Sequence, residues 1–362
     1  MIKGSKYWFS FSQTNFMTKE QQVLALDFSK TLIEEMFQVK KGETVAITVD
    51  LGSKRYIVEA LAKATQDIGG LPLLMWIPKA KKDSQAGMKD WPSEALTAAL
   101  CKADVWIEAN SVVLLYSDIW ETAMRDNKNL RYLIIADSSI GSLHRVFTGF
   151  DVQSLKLLLS KVIEMVKVSK TVRITSENGT DVSYDIDLNY AFDFDDGDFS
   201  IPKFGTAPGF VNIVPKLNSM NGIIVFDHLQ HTNNTSKVKF VVKNSNIVDI
   251  SGGEDANKFK TYISSFEDEN MYKISHNMLG FNPKVRELTH ELVEDERIWG
   301  GVDFGFGYTS PMDMPPLGQI AKSHFDGIVS NTSIYFDAIK ITDNGHVCHK
   351  DLRPLADKLL NN

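Results

Sequence analysis

Short apolar runs alternate with amphipathic stretches through the first 168 residues. Glu43 to Asp50 and Leu71 to Ile77 are strand-like, and Leu130 to Ala136 repeats that pattern. Between the first two runs, Ser53 to Asp67 places its apolar residues on one face of a helix. Near-continuous apolar strands separated by helices are typical of a parallel sheet that is covered on both faces. The pattern therefore predicts a doubly wound α/β domain over residues 1–168, which a helix within Tyr7 to Val39 precedes.

The pattern changes after Lys170. Two alternating strands surround Asn178-Gly179, a dipeptide that favours a tight hairpin turn, and a similar hairpin is expected around Asn344-Gly345. Further strand-like runs follow, with one helix from about Asp255 to Glu267. These features predict an α+β domain rich in antiparallel sheet over residues 169–362.

Composition narrows the class of protein. A chain of 362 residues exceeds the size at which one core usually keeps growing, so two domains are expected. The net charge of −7 argues against a nucleic-acid partner, which needs a basic face. Neither a signal-peptide pattern nor an apolar run long enough to span a bilayer is present. We expect a cytoplasmic protein without a membrane partner, with Cys101 and Cys348 as free thiols.

Candidate metal chemistry concentrates near the end of the chain. Side chains alternate in an extended segment, so His324 and Asp326 point to the same side and offer two adjacent ligand arms. His228 and His231 form a second candidate ligand pair. The acidic run from Asp193 to Asp198 lacks the spacing of a calcium loop, and a solvated turn is expected there.

Three motifs in order carry a family resemblance. Gly280-Phe-Asn-Pro283, Asp295-Glu-Arg-Ile-Trp-Gly300 and His324-Phe-Asp326 resemble the aminopeptidase T family of metallopeptidases (M29). The resemblance implies an aminopeptidase T-like fold and a homodimer. It also implies a two-metal site, for which this chain lacks ligands.

The departures from that family point to a different metal centre. Phe210 stands where the resemblance places a bridging glutamate, His276 replaces a second glutamate, and Asp303 replaces a histidine. Phe210 cannot ligate a metal, and two close cations without the bridging carboxylate repel each other. The remaining residues, His276, His324 and Asp326, form a 2-His-1-carboxylate set. This set is similar to that of the family's branch of 2,5-dihydroxypyridine 5,6-dioxygenases.

That similarity implies a mononuclear non-haem Fe(II) oxygenase, with one iron per chain and O2 as co-substrate. The substrate is expected to be a small hydroxylated aromatic, heterocyclic or amino-acid-like molecule that is oxidised or cleaved. An M29-like aminopeptidase with an altered metal site is the alternative, and a non-catalytic binding protein is a third hypothesis. Retention of all three candidate metal ligands argues against the hypothesis of a non-catalytic binding protein.

Other residues are candidates for roles around the metal. Asp303, Tyr308, Ser310 and Tyr116 are catalytic candidates, with Tyr116 reaching across from the first domain. Phe210 and Thr309 are candidate substrate-binding residues, because an aromatic ring suits a stacking pocket. The Met- and Pro-rich segment 311–316 is expected to cover the substrate as a loop.

Overall fold

The computed structural model describes residues 18–136 and 138–361. The first third of the expected helical region, Tyr7 to Val39, lies outside these residues. Its described part is a helix at Lys19–Lys30 that continues as a π-helical segment, Thr31–Met36. The Thr18 side chain accepts a hydrogen bond from the Gln21 amide, and the Gln21 side chain accepts one from the Thr18 amide. This reciprocal cap explains why the helix begins there.

The described residues form strands and helices that follow one another along the chain. The strands are β1 (Thr44–Val49), β2 (Leu71–Trp76), β3 (Val105–Glu108), β4 (Arg131–Ile134), β5 (Thr171–Thr175), β6 (Asp181–Asp185), β7 (Phe192–Asp195), β8 (Lys203–Gly205), β9 (Phe210–Ile213), β10 (Asn221–Phe226), β11 (His228–Leu229), β12 (Val238–Lys243), β13 (Asn246–Ser251), β14 (Ile274–Gly280), β15 (Val302–Thr309), β16 (Gln319–Val329), β17 (Ser333–Phe336), β18 (Ile339–Lys340), β19 (Thr342–Asp343) and β20 (His346–Val347). The helices are α1 (Lys19–Lys30), α2 (Arg55–Asp67), α3 (Ser93–Leu100), α4 (Asp118–Asp126), α5 (Ile140–Phe147), α6 (Val152–Val168), α7 (Gly253–Ser264), α8 (Leu292–Asp295) and α9 (Arg353–Leu360). Two 3₁₀ turns of the described chain lie at Ser84–Asp90 and Glu269–Tyr272.

The first half of the chain forms the predicted parallel sheet. Its strand order is β2-β1-β3-β4-β8, and every pairing is parallel. Buried side chains cover both faces of β1 and β3, because helices pack on each side. Strand β8 comes from beyond residue 168, so the second half of the sequence completes the edge of the first sheet. The division at residue 168 stays a prediction.

The second half contains the predicted antiparallel strands in two larger sheets. One has the order β13-β12-β10-β6-β5-β17-β18, and the other β11-β16-β15-β14-β9-β7. The Asn178-Gly179 hairpin forms between β5 and β6, with Gly179 at a φ of +103° that favours glycine. One face of the six-stranded sheet packs into the core through Phe304, Phe306 and Phe325. Its opposite face is therefore left to carry polar side chains.

The expectation of a solvated acidic turn is wrong for part of the run from Asp193 to Asp198. Asp195 and Asp196 are buried, and the Lys203 ammonium lies 3.3 and 3.5 Å from their carboxylates. The Asp195 carboxylate also accepts a hydrogen bond from the Thr206 amide at 2.7 Å. These partners offset the desolvation of the charges, and they hold the start of β8 beside β7.

Within residues 18–136 and 138–361, we find no helix of the length and apolar character that a bilayer crossing requires.

Candidate metal centre

The candidate ligands occupy one face of the six-stranded sheet. His276 of β14 and Asp326 of β16 both align with Gly305 on the strand between them, β15. His324 lies two residues before Asp326 and points to the same face, as the His-x-Asp spacing predicts. Residues from neighbouring strands are thus brought together without a loop among them.

The ligand atoms of these three residues converge. His324 Nε2 lies 2.9 Å from the Asp326 Oδ1 atom, and His276 Nε2 lies 3.7 Å from the same oxygen. One ligand atom from each residue lies within 4.8 Å of the other two. The imidazole rings of His276 and His324 stack with centroids 5.0 Å apart. This spacing is compact enough for one metal ion to contact all three residues.

Hydrogen bonds set which nitrogen of each histidine faces the centre. His324 Nδ1 lies 2.8 Å from the Tyr308 carbonyl oxygen, an acceptor that requires this nitrogen to carry the proton. The Nε2 atom of His324 is thereby left to face Asp326. His276 Nε2 is buried and has no hydrogen-bond partner within the described chain. A buried imidazole nitrogen with no such partner, beside a carboxylate, is suited to donate its lone pair to a metal ion.

Gly305 makes room for the His276 ring. A Cβ atom at this position would lie 2.5 Å from Cε1 and 2.7 Å from Nε2 of that ring. The imidazole therefore lies across the strand backbone towards Asp326, in a space that only glycine leaves open. This close approach of the His276 ring explains why glycine occupies this position of β15.

Electrostatics keep His276 neutral and His324 charged when no cation is present. Burial lowers the pKa of His276 to about 4, and the charge of His324 acts in the same direction. Burial also opposes the charge on His324, but the Asp326 carboxylate outweighs it and raises the pKa of His324 to about 9. Burial opposes the charge on Asp326 as well, yet His324 holds the pKa of that carboxyl below its usual value. A cation bound at this centre would replace the His324 proton.

Asp303 lies on the same face, one row further along β15. It is fully buried, and its carboxylate oxygens have no hydrogen-bond partner within the described residues. Its Oδ2 lies 3.4 Å from His276 Nε2. Burial raises its pKa well above the usual value, and the charge of Asp326 adds to this effect. Asp303 is positioned to gain a favourable partner when a cation occupies the centre.

Sequence reasoning missed the pair Glu296 and Arg297. Arg297 is buried, donates hydrogen bonds to Glu296 and to the Ala207 carbonyl, and lies 5.1 Å above the ring of Phe210. Its positive charge acts on both Asp303 and Asp326. Phe210 therefore has one side of its ring covered by Arg297. A substrate-stacking role for Phe210 stays a prediction.

Tyrosines from both halves of the chain pack together beside the candidate ligands. Tyr116, from the loop before α4, packs against Tyr308 of β15 with ring centroids 5.6 Å apart. Asp313, which sequence reasoning also missed, lies in the loop between β15 and β16, and its charge acts on both tyrosines. Burial raises the pKa of Asp313 to about 7, and the nearby Asp193 adds to the shift.

Thr309 and Ser310 are directed into local hydrogen bonds. The Thr309 hydroxyl donates to Ser275 Oγ at 2.7 Å, and Ser275 in turn donates to the Tyr308 carbonyl. Ser310 Oγ accepts a hydrogen bond from the Met312 amide at 3.1 Å. Both hydroxyls shape the loop that carries Asp313, and their predicted catalytic and binding roles stay untested.

The donor set fits one divalent transition metal. Two imidazole nitrogens and one carboxylate oxygen on one side of an ion leave the other coordination positions open to substrates. On this face of the sheet, the described residues also include a second carboxylate, that of Asp303. The side chain of Phe210 has no atom that could bind a metal ion.

Comparison with known proteins identifies the family. A family model described as 2,5-dihydroxypyridine 5,6-dioxygenase (NicX) matches residues 27–349. No curated protein matches the chain. The solved structure of 2,5-dihydroxypyridine dioxygenase from Pseudomonas putida KT2440 is similar, with a TM-score of 0.77 at 18% identity over 92% of this chain and 99% of that chain. Wild-type AmpT from Thermus thermophilus has a TM-score of 0.67 at 10% identity over 91% and 100% of the two chains.

The structural likenesses show the fold and confirm the predicted aminopeptidase T-like architecture. The family model spans most of the chain and confirms the predicted dioxygenase branch. The chain therefore belongs to the 2,5-dihydroxypyridine 5,6-dioxygenase family, and it is an enzyme of the dioxygenase type.

Proposed function

We propose that this dioxygenase is a mononuclear Fe(II) enzyme that uses O2 to cleave a small hydroxylated nitrogen heterocycle. His276, His324 and Asp326 would hold the metal. The observation that carries this proposal is the buried Nε2 of His276, which lacks a hydrogen-bond partner in the described chain and faces the carboxylate that His324 also faces. The substrate class is taken from the family's description.

The chemistry divides between the metal and the chain. Bound Fe(II) supplies adjacent open positions for substrate and O2, and allows electron density to pass between them. The chain orients the ligands through the Tyr308 carbonyl and Gly305. It also limits water access, because the side chains of His276, His324 and Asp326 are only 18%, 29% and 12% exposed.

Asp313 is our candidate for the group that accepts a proton from the substrate hydroxyl. Asp313 is half-buried on the loop that leaves β15 next to Tyr308, and no hydrogen bond within the described residues occupies its carboxylate. With a pKa raised to about 7 by burial, its carboxylate is basic enough to take a proton near neutral pH.

Two aromatic rings are suited to hold a planar substrate. Tyr116 and Tyr308 contact each other from opposite halves of the chain and are both partly accessible. A flat heterocycle placed against them gains stacking and burial of apolar area. We propose that Tyr116 closes the cleft from the first half, and that residues 311–316 cover it from the second.

Metal analysis tests the proposal directly. Protein purified without oxygen should contain about one iron per chain and consume O2 when 2,5-dihydroxypyridine is added. His276→Ala should lose both the iron and the oxygen uptake, whereas His346→Ala, which replaces an exposed histidine near the C-terminus, should retain them. Two zinc or cobalt ions per chain together with amide hydrolysis would support the altered aminopeptidase instead.

We also propose a cytoplasmic homodimer, which the family resemblance implies. Light scattering on the purified chain should give about twice the mass of 40.6 kDa. A monomeric mass across the concentrations used for activity would contradict the dimer and leave the metal proposal intact.

A further inference from the structure

A second group of metal-ligating side chains lies outside the catalytic centre. His228, His290 and Asp295 each present one ligand atom, and these atoms lie within 4.8 Å of one another. His228 belongs to β11 and aligns with Ile328, on the same sheet row as Asp303. Ile328 therefore lies between His228 and Asp303 in the sheet, and the cluster is a separate group from His276, His324 and Asp326.

The Asp295 carboxylate is held in place before any ion binds. It is fully buried, and its Oδ1 accepts a hydrogen bond from the Thr289 amide at 2.7 Å. Its Oδ2 accepts one from the His290 amide at 2.9 Å and lies 2.7 Å from His228 Nδ1. Backbone donors therefore orient the carboxylate so that Oδ2 faces the histidines, as outer partners orient a metal ligand.

His290 completes the group from the solvent side. Its backbone has a φ of +62°, which is uncommon for a residue with a side chain. The ring meets that of His228 edge-to-face, with centroids 5.3 Å apart. Its imidazole makes no hydrogen bond in the part of the chain that the structure describes. His290 is exposed, so an ion can enter from water.

We propose that His228, His290 and Asp295 bind a divalent ion of the zinc class, with water as the fourth ligand. Two imidazole nitrogens and one carboxylate oxygen are donors that Zn²⁺ accepts in four-coordinate sites. Binding displaces the proton shared by His228 and Asp295 and opens their 2.7 Å contact. The ion links β11 to the segment that leads into Glu296 and Arg297.

This site replaces the His228 and His231 pair suggested by the sequence. The His231 ring stacks on Tyr262 with centroids 4.0 Å apart, away from the cluster. His-x-x-His spacing does not bring two ligands together in a short strand followed by a turn. The second histidine of the site comes instead from His290, which is distant in sequence.

Zinc stoichiometry in a set of four chains tests the site. After dialysis against Zn²⁺, the wild-type chain should retain about two zinc ions per chain. His276→Ala and His290→Ala should each retain about one, and the double variant His276→Ala/His290→Ala should retain none. His346→Ala serves as the matched control and should retain two. His290 is exposed, so its replacement leaves the core intact.

A stability readout separates this site from the catalytic one. Excess Zn²⁺ should raise the melting temperature of His276→Ala by about 5 °C, and should leave that of the double variant unchanged. Equal zinc uptake by His276→Ala and the double variant would overturn the proposal. Neither measurement involves iron or O2, so the absence of an effect of His290→Ala would leave the dioxygenase proposal intact, whereas full zinc retention in His276→Ala would count against the catalytic ligand set.

Discussion

The position of His276 depends on a residue that has no side chain. Gly305 lies directly between His276 and Asp326 in the sheet. A methyl group at this position would lie only 2.5 to 2.8 Å from atoms of the His276 imidazole ring, which is too close. The His276 ring also stacks on His324, so it cannot move away from the methyl group without changing its position relative to the other candidate ligands.

Gly305→Ala should therefore weaken metal binding by about 10-fold or more while the fold is retained. Iron content and the circular dichroism spectrum of the purified variant check both parts. Gly141→Ala is a suitable control, because an added methyl group on α5 would approach only flexible side-chain atoms of Arg145 and Ser139. Full iron occupancy in Gly305→Ala would mean that the ring moves freely.

The proposed role of Asp313 predicts a pH dependence. Its pKa is raised to about 7 by burial, so the carboxylate form increases as the pH passes upward through 7. The kcat/KM for 2,5-dihydroxypyridine should rise over this interval. Asp313→Asn should abolish the rise and lower kcat/KM by about 100-fold or more. The exposed Asp185→Asn should keep the wild-type profile, and a rise that persists in Asp313→Asn would assign it to another group.

The sequence could predict which residues converge as candidate ligands, but not the groups that surround them. His324 and Asp326 follow from the period of an extended strand, which holds in any tertiary context. Arg297 reaches a carbonyl at Ala207, far away in sequence, and nothing near it in the chain indicates that contact. The basicity of Asp313 likewise arises from burial by distant segments, so neither role could be predicted.

Among the elements, the loop after β11 is held by a single carboxylate. Asp255, near the start of α7, accepts hydrogen bonds from the amides of Asn233, Thr235 and Ser236 at 2.7 to 2.9 Å. Burial opposes its charge, but these amides outweigh burial and lower the pKa of Asp255 to about 2. The loop therefore depends on a charged residue of another element.

Asp255→Ala should lower the free energy of unfolding at pH 7 by about 2 kcal/mol, because three amides lose their acceptor. A carboxyl with a lowered pKa stabilises the fold above its unfolded pKa, about 4, and ceases to do so as the pH falls towards 2. In denaturant titrations, the difference in the free energy of unfolding between variant and wild type should be smaller at about pH 3 than at about pH 6. The exposed Asp249→Ala should show little change, and a pH-independent loss in Asp255→Ala would rule out the charged carboxylate as the cause.

Elements were predictable where the pattern was long. The hairpin at Asn178-Gly179 and the apolar strands β1 and β4 match the predictions, because several residues repeat one period. Strand β8 has only three residues, Lys203–Gly205, and carries no detectable period. Its place beside β4 depends on the buried pairing of Lys203 with Asp195, which local sequence does not reveal.

At the scale of the whole molecule, the two halves of the chain are joined next to the metal centre. Asn282 donates hydrogen bonds to the carbonyls of Val146 and Pro208, and Glu291 accepts two from Ser139. The contacts with Val146 and Ser139 attach residues 282–291 to α5 and to the residue that precedes it. The sheet face that carries the candidate ligands therefore depends on residues of both halves, although every proposed iron ligand comes from the second.

An ion pair between Arg145 and Glu294 also links the two halves. The guanidinium donates to both carboxylate oxygens, at 2.6 and 2.8 Å, and the Glu294 side chain is 1% exposed, whereas that of Arg145 is 45% exposed. Arg145→Ala should lower the free energy of unfolding by about 1–3 kcal/mol, mostly because a buried carboxylate loses its partner. Adding Glu294→Gln should recover part of that loss, since the double variant contains no unpaired charge. Denaturant titration of wild type, both single variants and the double variant gives the interaction free energy between Arg145 and Glu294. If Arg145→Ala were as stable as wild type, the remaining contacts, including those of Asn282 and Glu291, would be enough to hold the halves together.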